Sequence, residues 1–231
     1  YLAFNANMAA NEMFLDSAAL RSSVVSHAKM LGYEVASARA PIASLNVFVS
    51  TNKDTLTMPA GTKFTAAVGS ESYSFVSISD TTGTNSGGTV SFENLSVYEG
   101  TYVTSTYTVD TSSQDQRYVL SDNRSDINTL TVQVQNSASD TQVTSFTKAT
   151  DITQLTNNSP VYFCQEAEAG KFEIYFGDGI VSKALVDGNI ITLKYVVTNK
   201  TASNGVSSFT SPSAIDGETS ISVQTVDSAR G

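Results

Sequence analysis

The stretch Gly170-Lys171-Phe172-Glu173-Ile174-Tyr175-Phe176-Gly177-Asp178-Gly179 alternates in polarity and then stops abruptly. In a strand, Phe172, Ile174 and Phe176 share one face while Lys171, Glu173 and Tyr175 share the other. Gly177 and Gly179 open backbone conformations that a side chain would close, and the Asp178 carboxylate can accept from nearby N–H groups. These ten residues therefore predict a half-buried strand ending in a tight turn. Immediately upstream, Val161-Tyr162-Phe163-Cys164-Gln165-Glu166 predicts its hairpin partner, joined through Ala167-Glu168-Ala169-Gly170.

The two-residue period extends well beyond this hairpin. Leu130, Val132 and Val134 alternate with Thr131, Gln133 and Gln135, and Ile190 to Thr198 is a second strong strand after the turn Asp187-Gly188-Asn189. Toward the N-terminus, strands are expected at 42–49, 73–78, 89–97 and 101–109, with Thr55 to Met58 leading into a turn at Pro59-Ala60-Gly61-Thr62, a polar loop at 80–89 and another at 121–128. Residues 150–159 hold a short helical turn before Pro160, Asn204-Gly205 is a further turn, and Ile221-Ser222-Val223 is a short strand candidate.

Only the first residues change period. From 1 to about 31, Met13, Leu20, Val24, His27 and Leu31 recur at helical spacing, with Phe14, Ala18 and Val25 forming an offset stripe. One helix apolar on two sides needs more than one partner surface, so Met13, Leu20, Val24, His27 and Leu31 are the candidate subunit-interface residues. Gly32 is placed to end the helix and Tyr33 to make the accompanying contact, and Pro41 forbids its continuation. The expected fold is α+β, mainly β: an N-terminal helical segment followed by antiparallel β domains. Its expected divisions are 1–40 (helical assembly segment), 41–112 (first β region), 113–209 (second β region) and 210–231 (linker or start of a further domain).

Composition narrows the function. Of 231 residues, 40% are hydrophobic and 15% charged, the low charge being offset by Ser, Thr and Asn. A net charge of −9 argues against a nucleic-acid backbone or an anionic membrane as main partner. No run approaches the ~20 apolar residues of a membrane span. Cys164 is the one cysteine, so no intrachain disulfide forms, which suits a reducing compartment. The start at Tyr1 and the end at Ala229-Arg230-Gly231 point to a segment of a longer polypeptide.

No catalytic constellation emerges. His27 is the single histidine and lies on an apolar helical face, which leaves a histidine-based metal site or nucleophile–base pair without members. Cys164 sits in an apolar strand with no second thiol nearby, the pattern of an inert buried cysteine. Asp110/Asp115, Asp122/Asp126, Asp178 and Asp187 do not reproduce the spacing of a calcium loop. Glu166, Glu168 and Glu173 flank one hairpin, where two could meet across strands as a glycosidase pair, yet the chain has no tryptophan to stack a sugar. Gly177-Asp178-Gly179 lacks the Lys-Ser/Thr ending of a phosphate loop. The expectation is a protein that is not an enzyme and has no cofactor and no metal, with Phe176, Gly177, Asp178, Gly179, Gly188 and Asn189 serving as a structural turn motif.

The chain carries an ordered set of motifs: Glu12-x-x-Leu15-Asp16-x-Ala18, Leu31-Gly32-Tyr33, Arg39-Ala40-Pro41, Tyr162-Phe163-x-Gln165-Glu166, Tyr175-Phe176-Gly177-Asp178-Gly179, Leu185-x-x-Gly188-Asn189, a strand ending at Tyr195, and Asn204-Gly205. This set resembles the baseplate J-like family, the inner wedge proteins of contractile phage tails. Two positions depart from the family pattern: Ser182 and Lys200 stand where glycines are expected. The resemblance implies a virion tail-baseplate protein, assembled in the host cytoplasm. Its partners would be a second copy of itself and other wedge subunits, closing a ring around the tail hub that rearranges when the sheath contracts. It implies neither nucleic-acid binding nor membrane insertion. The low charge and long polar loops suit one rival function, a β-rich adhesin or carbohydrate-binding module.

Overall fold

The computed structural model describes residues 2–113 and 116–231, so Tyr1 and Asp115 lie outside the described residues. The chain is mainly β and opens on helices, α1 (Leu2–Glu12) and α2 (Arg21–Met30). The expected single helix is therefore two. Its break has a local cause: side chains compete with the helical ladder. The Ser17 hydroxyl donates to the Asn11 carbonyl (2.7 Å), and the Glu12 carboxylate accepts the N–H groups of Ala19 (2.9 Å) and Leu20 (3.3 Å). The far end follows expectation. Gly32 takes φ +78°, its N–H reaches the Lys29 carbonyl, and the Tyr33 N–H reaches the Ala28 carbonyl at 2.9 Å, the paired bonds of a glycine-terminated helix.

Fourteen strands follow among the described residues: β1 (Ile42–Ser50), β2 (Thr55–Met58), β3 (Lys63–Val68), β4 (Glu71–Val76), β5 (Thr81–Ser86), β6 (Thr89–Glu99), β7 (Thr101–Thr108), β8 (Tyr118–Val119), β9 (Ser125–Gln135), β10 (Val143–Lys148), β11 (Val161–Glu166), β12 (Phe172–Phe176), β13 (Ile190–Val197) and β14 (Ile221–Arg230). The first sheet runs β14-β1-β6-β4-β3, with β5 beside β6 and β2 beside β5. The second runs β7-β13-β9-β10-β11-β12-β8. Every pairing is antiparallel except β10 with β11. In β1 the residues Ala43, Leu45, Val47 and Val49 alternate into a core with Leu56, Met58, Phe64 and Phe75. The second core gathers Leu120, Val132, Ile174, Ile191, Leu193 and Tyr195. Each buried Val, Leu, Ile, Phe or Met side chain among these contributes about 1.5–3 kcal/mol over its exposed state.

The pairings redraw four expected boundaries. The 210–231 segment, expected as a linker or a further domain, returns to the first sheet, where β14 pairs with β1 over Ile221–Arg230. The strand β7, grouped with the first region, belongs to the second sheet through eight paired residues with β13. The polar stretch 80–89, expected as a loop, holds β5. Its Gly83 lies under Val90, whose Cγ1 would be 2.5 Å from a Cβ there, so a strand forms with no apolar alternation to announce it. The 121–128 loop likewise ends early, since β9 begins at Ser125.

One residue, Gly100, separates the sheets. It adopts φ +131°, and a Cβ there would sit 2.3 Å from the Val197 carbonyl oxygen. Beside it the fully buried Glu99 carboxylate crosses from the first sheet to the second. It accepts from the Thr198 hydroxyl (2.7 Å), the Asn199 N–H (2.8 Å) and the Asn199 amide (2.8 Å). Buried Asp126 mirrors this by accepting the Ala40 N–H at 2.8 Å. Ala40, Val76 and Val196, with Ile78, Tyr98 and Tyr102 packed against them, fill the space between. The two sheets thus share a small core with satisfied buried carboxylates.

Candidate functional site

The six turn-motif residues gather at one end of the second sheet. Phe176 packs edge-on against Phe146 (ring centroids 5.3 Å) and Tyr118 (5.9 Å). Gly177 follows, and its missing side chain is filled by Ser182: a Cβ would lie 1.8 Å from Ser182 Oγ. Ser182, at a position where the family resemblance leads one to expect glycine, is fully buried with its hydroxyl unpartnered. The Asp178 carboxylate accepts from the N–H groups of Ile180 (2.9 Å) and Val181 (3.4 Å), and these bonds hold its pKa below the ordinary carboxylate value. Gly179, at φ +85°, returns its N–H to the Ser182 carbonyl at 3.0 Å.

Gly188 and Asn189 form the neighbouring turn into β13. Gly188 has φ +79° and donates to the Val109 carbonyl. The Asn189 side chain accepts the Val186 N–H and donates to the Asn136 carbonyl, both at 2.8 Å. Apart from the Thr111 hydroxyl, which donates to the Asp187 carboxylate at 3.4 Å, the polar bonds of both turns go to backbone or to their own residues, so the geometry holds a chain path. At the tip, Ile180 stands 77% exposed.

The candidate interface residues lie elsewhere, on the helical arm, and no described hydrogen bond joins the two sets. His27 Nε2 lies 2.8 Å from the Glu12 carbonyl and fixes α2 against the end of α1. Glu12 closes the same corner. Its pKa is lowered by a Ser23 hydrogen bond first, then by the Ala19 N–H. Val24 and His27 are half-buried, whereas Met13 (69%), Leu20 (48%) and Leu31 (75%) stand exposed. Phe4, Met8, Phe14, Leu15 and Met30 extend this exposure, and α2 buries no residue. Exposed large apolar side chains are therefore concentrated on this helical arm.

The glutamate hairpin does not converge as a carboxylate pair. Glu166 pairs across the ladder with Phe172 and Glu173 with Gln165, so the two project to opposite faces. Both Glu166 oxygens bind the Arg21 guanidinium (2.8 and 3.0 Å), while Glu173 meets Arg117 (2.5 Å) and the Gln165 amide. Glu168 lies in the turn between the strands. Burial pushes the Cys164 thiol pKa up to about 11, opposite to the shift of an activated nucleophile. The roles of Glu99, Asp126 and the Arg21–Glu166 pair were invisible to motif reading, because each is defined by a partner between 86 and 145 residues away. The only local signal was the Glu99-Gly100 break in the strand pattern.

No family model matches this chain, and no curated protein matches it.

Proposed function

We propose that the chain is a structural component of a contractile phage tail baseplate. In this reading it is a wedge protein that joins neighbouring subunits into a ring around the tail hub, within the virion, and rearranges on sheath contraction. The observation that carries the reading is the helical arm, which presents Met13, Leu20 and Leu31 to solvent beside a body that packs two large cores of its own. An exposed apolar helix becomes stable when a second chain covers it, and copies of one chain offer such a surface to each other.

The motif series supplies the direction, since it resembles the baseplate wedge subunit of T-even-type phages. Lys200 adds support. At this position, where the resemblance calls for glycine, the backbone still adopts φ +62°, the left-handed region that favours glycine. No helix among the described residues is long and apolar enough to cross a membrane.

The test is antibody labelling of purified particles from the virus that encodes the chain, viewed by electron microscopy. Label at the sheath-distal end of the tail is expected. Particles carrying none of the chain would overturn the reading, as would binding in a glycan screen by a protein absent from particles.

A further inference from the structure

Helix α2 lies across an open groove of about 1100 Å3 on the second-sheet side, with Val25 and Ser26 on one wall and Ala167 and Gly170 on the other. The groove lining mixes lysine and arginine with glutamate and so presents no single sign of charge. The helix does not fill this space, because it buries no residue. Its hold on the body is polar and centred on one residue. The Glu166 side chain, only 4% exposed, receives Arg21 through two parallel bonds, and the Glu166 carbonyl receives Lys29 Nζ at 2.8 Å. Beyond the helix, Glu34 pairs with Lys148 at 2.6 Å. Only further on does the connection become firm: the Ser37 hydroxyl accepts the Ile127 N–H, and buried Ala40 enters the shared core between the sheets.

A segment fixed at Ala40 and held before it by two ion pairs and the Lys29 hydrogen bond has two stable situations, docked and free. Its helix offers only half-buried apolar residues such as Val24 and Val25 to the docked state, so these polar links carry most of the difference. We propose that residues 21–36 form a releasable strap, latched on Glu166 by Arg21 and Lys29 and hinged at Ser37–Ala40, which swings off the second sheet while both sheets stay folded. Bidentate guanidinium–carboxylate pairs are strong for their size, and their partly exposed surroundings leave them sensitive to salt.

Hydrogen exchange read by mass spectrometry tests this on the whole chain. Amides of Arg21–Met30 are expected to exchange roughly tenfold faster in Arg21→Gln and in Glu166→Gln than in wild type. Exchange in β9 and β13 should be unchanged, and the double variant should be no faster than either single one, because both remove the same link. High salt should reproduce the effect in wild type. Arg21→Gln keeps the outcome readable if Glu166→Gln disturbs β11. Exchange of 21–30 that is indifferent to both substitutions would overturn the proposal. So would acceleration that spreads equally through β9 and β13.

Discussion

The body from residue 42 to 230 and the arm from 2 to 39 both carry many large apolar side chains, yet they use them in opposite ways. In the body, Leu45, Phe64, Phe75, Ile174, Leu193 and Tyr195 are fully buried. In the arm, Phe4, Met13, Phe14, Met30 and Leu31 are each more than 60% exposed. Where residues alternate every second position, one face meets a neighbouring strand of the same chain. Where they follow a helical period, this chain covers them only in part, half-burying Val24 and His27 and leaving Met13, Leu20 and Leu31 exposed. The body packs a core of its own, and in the function proposed above a second molecule completes the arm.

Substitutions separate the two regions by the size of their effect on unfolding. The largest is expected at the seam of the body. Gly100→Ala would drive a methyl group into the Val197 carbonyl and the Val196 side chain at a positive φ, and should cost more than about 3 kcal/mol by denaturant unfolding. A loss below about 1 kcal/mol would show that the sheets do not meet as described.

Gly177→Ala comes next, at about 2–3 kcal/mol, because its Cβ would overlap the buried Ser182 side chain. Adding Ser182→Gly should recover part of that loss by opening the space, the remainder reflecting the nearby Ser182 carbonyl. Strictly additive losses would contradict this packing. A small gain, about 0.5–1 kcal/mol, is expected for Lys200→Gly, which relieves a left-handed lysine.

Much of this was legible in the sequence, and the misses share a cause. β1, β7, β13 and the β11–β12 hairpin follow from alternation, and the end of α2 follows from Leu31-Gly32-Tyr33. β5 escaped because Thr81-Thr82-Gly83-Thr84-Asn85-Ser86 carries no apolar period. Its pairing with β2 and β6 makes it a strand, and Asn85 secures it by donating to the Thr51 and Lys53 carbonyls. β14 was seen as three residues, because Gln224, Asp227 and Arg230 hide an edge strand whose order comes from β1. The break in the helix escaped because helical periodicity counts apolar positions and misses a Glu12 carboxylate turned onto the Ala19 and Leu20 N–H groups. The turn motif was found from Gly177-Asp178-Gly179, but Ser182 as the group that fills the space over Gly177 required the fold.

Sedimentation velocity of wild type and of the Leu20→Asp/Leu31→Asp double variant, across a range of concentrations, tests the contrast most directly. Both residues are exposed, so the unfolding free energy should change by no more than about 0.5 kcal/mol. Wild type is expected to self-associate as concentration rises and the double variant to remain a monomer, since a carboxylate in an apolar interface costs several kcal/mol (on the order of 3–5). A wild-type chain that stays monomeric throughout, or a variant that associates equally well, would contradict the assignment of the arm as an assembly surface.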